Sequence, residues 1–180
     1  MAMGAEADAD PQFELPYGPT IPSLYAQAAC RYLHEYGLTE ADLAEVAVAN
    51  QRWGVGHPHA AKARLGPVDT GKVLASPYVS SPIRRWMCST WGGGTGGALV
   101  VTSVERARGM AGAVYLLGYG SATTHEYLGD RMNLTRCRFE SLGVLPNITR
   151  TGTAEAARRA FAMAGLAQGD IDMLQISVNF

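Results

Sequence analysis

Thr153–Ile176, TAEAARRAFAMAGLAQGDIDMLQI, is the stretch whose periodicity is clearest in the chain. Ala157, Ala160, Phe161 and Ala164 recur at three- and four-residue steps, so a helix over Thr153–Ala164 carries one apolar stripe and leaves Arg158 and Arg159 outside it. Gly165 stops that helix, because a glycine takes up the left-handed C-terminal conformation without steric cost. Asp170-Ile-Asp-Met-Leu-Gln-Ile176 then reads as a strand leading to Asn179 and Phe180. An alanine-rich helix, a turn and an apolar strand in that order point to α/β packing, which is the fold class expected here.

Working back from that stretch, residues 121–150 are polar and mixed and show no clear period. Before them, Val114-Tyr-Leu-Leu117 reads as a strand ending in Gly118-Tyr-Gly120, and Val104–Gly109 as one or two helical turns. Gly92-Gly-Gly-Thr-Gly-Gly97 feeds Ala98-Leu-Val-Val101, a short buried strand by composition. No Gly-Lys-Ser/Thr follows those glycines, which argues against a phosphate-cradling loop. Gly54–Ser81 is loop-like, punctuated by Gly66-Pro67 and Ser76-Pro77, with Ser81-Pro82 at its end and a helical turn expected at Thr70–Leu74. Leu43, Val46, Ala47 and Asn50 form a helix reaching about Trp53, opened by a capping box of Thr39 and Asp42. An earlier helix carries Tyr25, Ala28, Ala29, Tyr32 and Tyr36, with Ser23 expected as its N-cap and Gly37 as its stop. Pro11, Pro16, Pro19 and Pro22 make residues 1–22 extended and irregular. The chain thus divides into residues 1–95, an extended segment with a helical region, and residues 96–180, a strand and helix region.

Hydrophobic residues make up 47% and charged residues 17% of the 180, a composition that favours an oligomer or a part of a larger unit. A net charge of −1 and a pI near 6.4 lack the basic field that a phosphate backbone demands, so nucleic acid is not an expected partner. The longest apolar stretch, Gly96–Val101, is far too short to span a bilayer. The first ten residues carry Glu6, Asp8 and Asp10 rather than a basic region and an apolar one, so they do not read as a secretory signal. Cys30, Cys88 and Cys137 are odd in number and widely spaced, which suits neither a disulfide framework nor a metal cage. Reduced thiols in a cytoplasmic protein are the expectation. Asn133-Leu-Thr135 and Asn147-Ile-Thr149 match glycosylation sequons but mean little without a signal.

Three stretches together resemble thiolases of the sterol-carrier (lipid-transfer) type. Tyr32-Leu-His-Glu-Tyr-Gly37 with Thr39-Glu-Ala-Asp-Leu-Ala-Glu-Val46 is similar to that family's R-Y-M-H-E-Y-G … L-A-x-V-A helices in a lid-like loop domain. Val73-Leu-Ala-Ser-Pro77, Ser81-Pro82-Ile83-Arg84-Arg85 and the run to Thr102-Ser103 resemble its V-L-x-S-P … P-L-R … D-G-A-A-A-V-V-V-T-S segment. Ala164-Gly-Leu166 with Gly169-Asp-Ile-Asp172 resembles its A-G-L-x-P-x-D-I-D turn. The resemblance implies two β-α-β-α-β-β repeats stacked in five layers, usually as a homodimer. This chain would then hold a partial thiolase-like fold, an incomplete five-layer sandwich. Residues 1–95 would be the loop-domain region, and 96–180 the end of the first repeat and the start of the second.

The resemblance also implies a chemistry. Thiolases make or break a carbon–carbon bond beside a thioester, with a thiolate holding the acyl group, donors for the enolate charge and an acid/base for the second substrate. In the family the nucleophilic Cys precedes the matched region, and a glycine-flanked His and a second Cys follow it. The implied function is action on acyl-CoA or steroid-CoA thioesters, in lipid metabolism or steroid degradation, with these residues inactive alone. The alternative is a non-catalytic thiolase-like subunit that binds a CoA ligand or a partner protein. Implied partners are a second copy of the chain, or a small protein with an OB-fold and a zinc ribbon.

Within the chain, the strand end that carries H-D-C-F, or Y-D-x-F in the retro-aldolase relatives, is here Ser177, Val178, Asn179 and Phe180. A serine in place of His or Tyr is too weak an acid to shuttle protons unless a base stands beside it. Asn179 could donate an amide hydrogen bond to an oxygen or to water, although it sits two positions out of register with the Asn of the N-E-x-F strand in other thiolases. Ser177 and Asn179 are the weak catalytic candidates; a polar strand end explains them too. Ser89, Thr90 and Trp91 match a loop that elsewhere in the superfamily touches the pantetheine of coenzyme A, and are the cofactor-binding candidates. Family members have Asp-Gly before the Ala-rich strand where this chain has Gly96-Gly97. Cys88 has Arg84 and Arg85 nearby to lower its pKa, but a free Cys is among the most buried residue types. His57-Pro-His59 lacks a carboxylate or Cys beside it and reads as loop, so no metal site is expected. His125-Glu126 has acid/base residue types, but adjacent residues rarely converge on one substrate. Arg84, Arg85, Arg158 and Arg159 suit either coenzyme A phosphates or a solvated face.

Overall fold

The structure, a computed structural model, describes residues 9–89, 96–124 and 148–180. Thr90, Trp91, the glycines at 92–94, Thr95, His125-Glu126, Cys137 and the sequon asparagines Asn133 and Asn147 lie outside the described residues. The chain is mixed α and β, with helices and one two-stranded sheet among the described residues, and it separates into two compact units.

The first unit holds residues 9–89, Thr124 and the short segments 148–151 and 176–180. Helix α1 spans Ile21–Tyr36. Its N-cap is Thr20 and not Ser23: the Thr20 hydroxyl accepts from the Ser23 N–H at 3.3 Å, and the Thr20 N–H donates back to Ser23 Oγ at 2.8 Å. Pro22 therefore sits inside the first turn, where its missing N–H has no helical partner to lose. Gly37 closes α1 with φ 64°, as its position in the sequence predicts.

Helix α2 spans Glu40–Val55. The expected capping box is present, with the Thr39 N–H and hydroxyl both donating to Asp42 Oδ2 at 2.7 and 2.9 Å. Those bonds hold the Asp42 carboxyl below its ordinary pKa. The turn expected at 70–74 is α3, Thr70–Leu74, whose first turn is capped by Asp69 accepting from the Lys72 N–H at 2.7 Å. Strands β1, Tyr78–Ser80, and β2, Ile83–Arg84, pair antiparallel across the cis Ser81–Pro82 peptide. A loop was expected up to Ser81; the hairpin forms there because Arg84 ties it down, as described below. The core of this unit is Ala26 from α1, Ala44 from α2, Val68, Val73 from α3, Ile83 from β2 and Met87. It packs α2 against α3 and the turn at 85–87, and α1 against the hairpin.

The second unit holds residues 96–123 and 152–175. Helix α4 is a single turn, Val104–Ala107, and α5 spans Thr153–Ala164, ended by Gly165 at φ 67°. The stripe of Ala157, Ala160, Phe161 and Ala164 is half-buried, and Arg158 and Arg159 are exposed, as the period requires. Both guanidiniums grip Glu155 at 2.7 Å, which lowers that carboxyl to about 2.

The strands expected at Ala98–Val101, Val114–Leu117 and Asp170–Ile176 do not form. A strand exists only where its backbone groups meet a neighbour's, and no ladder reaches these segments among the described residues. Val100 is 97% exposed and Val114 95%, so the apolar composition that suggested buried strands is present without the burial.

Candidate functional site

The first unit carries an open cavity of about 550 Å³. Helix α1 supplies one wall with Tyr25, Ala28, Ala29 and Tyr32. Helix α2 supplies another with Leu43, Val46, Ala47 and Asn50, spaced so that one face of the helix looks inward. The 3-10 turn Arg85–Met87 and the residues after it bring Trp86, Met87, Cys88 and Ser89. Val178 and Phe180 close a further side, and the Phe180 ring packs tilted on Tyr25 with centroids 5.0 Å apart. Small residues on both helices leave the space, and aromatic rings line it.

Lys62 is the one charged side chain lining this space among the described residues. Gln51 sets its position. The Gln51 side chain is buried, and its amide donates to the Lys62 carbonyl at 2.9 Å and the Gly66 carbonyl at 2.7 Å, fastening the 57–66 loop to α2. The Lys62 ammonium then donates to the Cys88 carbonyl at 2.7 Å and lies 5.5 Å from the centroid of the Trp86 indole. Lys72 approaches the same indole at 5.2 Å. Burial pushes the Lys62 pKa below the ordinary lysine value, with Cys88 opposing the shift.

Burial pushes the Cys88 thiol up, with Lys62 pulling it partly back. Its Sγ faces the Arg84 carbonyl at 3.5 Å, a neutral thiol's contact. Cys30 is exposed, its Sγ 3.7 Å from the Ser81 carbonyl. Iodoacetamide at neutral pH is therefore expected to alkylate Cys30 well before Cys88, because the thiolate is the reacting form. Peptide mass spectrometry over a time course checks this, and equal or faster labelling of Cys88 contradicts it.

Of the candidates read from the sequence, Ser89 lines the cavity, and its N–H donates to the Asn179 carbonyl at 2.8 Å. The matched loop and the strand end thus meet through backbone. The side chains of Val178 and Phe180 line the cavity, while those of Ser177 and Asn179 are not among its lining and both residues are exposed. Arg84 is engaged with Glu40, and Arg158 and Arg159 with Glu155, so three of the four candidate phosphate-binding arginines already hold carboxylates. His57 and His59 are exposed, and the His57 Nδ1 accepts from the His59 N–H at 3.2 Å, a loop contact. No cluster of three metal-ligating side chains occurs among the described residues. Lys62, Tyr25, Tyr32 and Trp86 carry no sequence signal of a site; the scarcity of lysine, two in the chain, is the only hint that one of them has a special place.

No protein-family model matches the chain. Among curated proteins it is 33% identical over 168 residues to an acetyl-CoA acetyltransferase of Methanothermobacter thermautotrophicus, covering 93% of this chain and 40% of that protein. It is 31% identical over 158 residues to a steroid side-chain-cleaving aldolase of Thermomonospora curvata, covering 87% of this chain and 38% of the aldolase. A benzoylsuccinyl-CoA thiolase subunit of Thauera aromatica is 26% identical over 189 residues, covering 100% of this chain and 43% of the subunit. The chain spans about 40% of the length of the curated relatives it matches. These matches run along nearly all of the chain, and the thiolase relatives they name are those that the motifs at 32–46, 73–103 and 164–172 resemble, so the chain is similar to part of a thiolase-superfamily protein.

Proposed function

We propose that this chain serves a thiolase of the sterol-carrier type and that its cavity receives the acyl end of an acyl-CoA thioester. The observation that carries this reading is the cavity itself: an apolar, aromatic-lined space of about 550 Å³ with the matched Ser89 at its edge. Tyr25, Tyr32, Trp86 and Phe180 offer ring faces, which suits a cyclic or aryl acyl group, steroid-CoA included. The names of the relatives support coenzyme A thioesters as the substrate class, with carbon–carbon cleavage or acyl transfer as the reaction of the whole protein. Residues 1–95 form the loop-domain region in this proposal, and 96–180 the end of one repeat and the start of the next, in a partial five-layer sandwich. Ser89, Thr90 and Trp91 contact pantetheine, Ser177 and Asn179 stand at the reacting end, and the 180 residues alone bind without turnover. A cytoplasmic homodimer, or a complex with a small OB-fold and zinc-ribbon protein, completes the picture.

The second reading is a non-catalytic subunit that binds a CoA ligand. Burial raises the Cys88 thiol, so Cys88 does not stand in for the nucleophilic Cys that the family carries before the matched region.

Calorimetry of the 180-residue chain with phenylacetyl-CoA and with free coenzyme A tests the proposal. Burying a ring-sized apolar group is worth roughly 2 kcal/mol, so the thioester is expected to bind at least about tenfold more tightly than coenzyme A. Equal affinities, or no binding of either, would remove the support for an acyl pocket. Acyl transfer or cleavage at enzymatic rates by these residues would overturn the claim that they act without turnover.

A further inference from the structure

We propose that Lys62 is an acyl-accepting site: its amine takes the acyl group of a thioester seated in the cavity and becomes an Nζ-acyl-lysine. The inference rests on the reading of the cavity as an acyl-thioester pocket and adds a covalent outcome to it.

The geometry is specific to this lysine. The chain has two lysines, and both stand over the Trp86 indole, at 5.5 Å for Lys62 and 5.2 Å for Lys72. Only Lys62 lines the cavity; Lys72 is exposed. Gln51 fixes the Lys62 backbone, and the Cys88 carbonyl holds its Nζ at 2.7 Å, so the amine is kept at the wall of an apolar space. A nucleophile held there meets a bound carbonyl without a bimolecular search. Burial lowers the Lys62 pKa and so raises the share of free amine, the form that attacks.

The step balances without any other reagent. The lone pair of neutral Lys62 Nζ attacks the thioester carbonyl carbon, a C–N bond forms, the C–S bond breaks, and the thiolate leaves. The nitrogen gives up one proton, which the thiolate or water takes. The product amide keeps one N–H, enough to preserve the hydrogen bond to the Cys88 carbonyl. The positive charge beside Trp86 is lost from Lys62, and its acyl chain occupies the apolar space.

The experiment incubates the intact chain with phenylacetyl-CoA at neutral pH and follows acylation at each lysine by peptide mass spectrometry. Lys62 is expected to gain the acyl mass at least about tenfold faster than Lys72, with saturation in thioester concentration. An excess of phenethyl-CoA thioether, which cannot transfer an acyl group, is expected to slow Lys62 and leave Lys72 alone. In urea the preference is expected to vanish. Lys62→Arg keeps the charge over Trp86 and is expected to lose only the Lys62 label. Equal labelling of the two lysines, or no label at Lys62, overturns the inference. Calorimetry with the thioether separates the two claims: if the thioether binds yet Lys62 stays unlabelled, the pocket stands and the acyl acceptor falls. If the thioether does not bind, the pocket itself falls.

Discussion

Gly120→Ala is expected to cost the second unit more than about 3 kcal/mol, the largest loss foreseen for a glycine-to-alanine change among the described residues. The backbone of 118–120 lies directly on α5. A Cβ built on Gly120 would overlap the Ala156 carbonyl and stand 3.0 Å from the Ala160 nitrogen, and one on Gly118 would overlap the Ala160 carbonyl and stand 2.9 Å from the Ala164 nitrogen. These neighbours are backbone of a regular helix, so they cannot swing aside as a flexible side chain can. The Arg159 guanidinium, donating to the Ser121 carbonyl at 2.9 Å, fastens the same segment to the same helix. Alanine at 120 must therefore either lift the segment off α5 or bend the helix. Gly97→Ala is the control, since a Cβ there meets nothing within 4 Å, and its effect is expected within about 0.5 kcal/mol. Urea unfolding followed by circular dichroism, with hydrogen exchange of the α5 amides, measures both. Unchanged α5 exchange in Gly120→Ala would show that the close approach is not required.

Those two glycines also show what was legible in the sequence and what was not. Local chemistry was legible: Thr39 with Asp42, Gly37, Gly165 and the 70–74 turn all follow from residues within a few positions of one another. Gly118 and Gly120 were visible as glycines after an apolar run, but their reason is a helix more than thirty residues further on. The apolar runs at 98–101 and 114–117 have strand composition, and composition says which segments can pair without supplying the neighbour that makes a strand. The hairpin at 78–84 was hidden for the converse reason: its composition is plain, and an ionic network from α2 holds it. The cavity was the least legible feature. Its walls come from α1, α2, the 57–66 loop and the segments at 148–151 and 178–180, brought together by contacts such as the Thr149 hydroxyl donating to Glu35 at 2.9 Å. No periodicity within one element could have placed Lys62 beside Trp86. The family motifs extend to Ser89, one of the residues lining the cavity, because they are carried by residue identity along the chain.

Arg84→Met is expected to destabilise the first unit by roughly 2–3 kcal/mol and to abolish the phenylacetyl-CoA binding proposed for the cavity. Arg84 Nε donates to Glu40 Oε2 at 2.9 Å, its Nη1 to the Ser76 carbonyl at 3.0 Å and its Nη2 to the Tyr78 hydroxyl at 2.6 Å. The Tyr78 hydroxyl in turn donates to Glu40 at 2.7 Å, and that carboxylate, followed by burial, pushes the Tyr78 pKa up. One guanidinium thus joins the first turn of α2, the end of α3 and both strands of the hairpin. The Arg84 side chain is 17% exposed and that of Glu40 30%, so the pair lies between a surface ion pair of under about 1 kcal/mol and a fully buried one. Methionine retains the apolar stem but takes the guanidinium away from Glu40, Tyr78 and the Ser76 carbonyl, leaving Glu40 only the Tyr78 hydroxyl. The turn that follows carries Trp86 and Met87 into the cavity wall, so loosening Arg84 reaches the site through the backbone. If the network acts as a unit, Glu40→Gln in the Arg84→Met background should cost much less than Glu40→Gln alone, a coupling read from a double-mutant cycle in urea. Additive losses, or an Arg84→Met protein that keeps its stability and its affinity for phenylacetyl-CoA, would mean that the core of Val73, Ile83 and Met87 holds the hairpin without the ion pair.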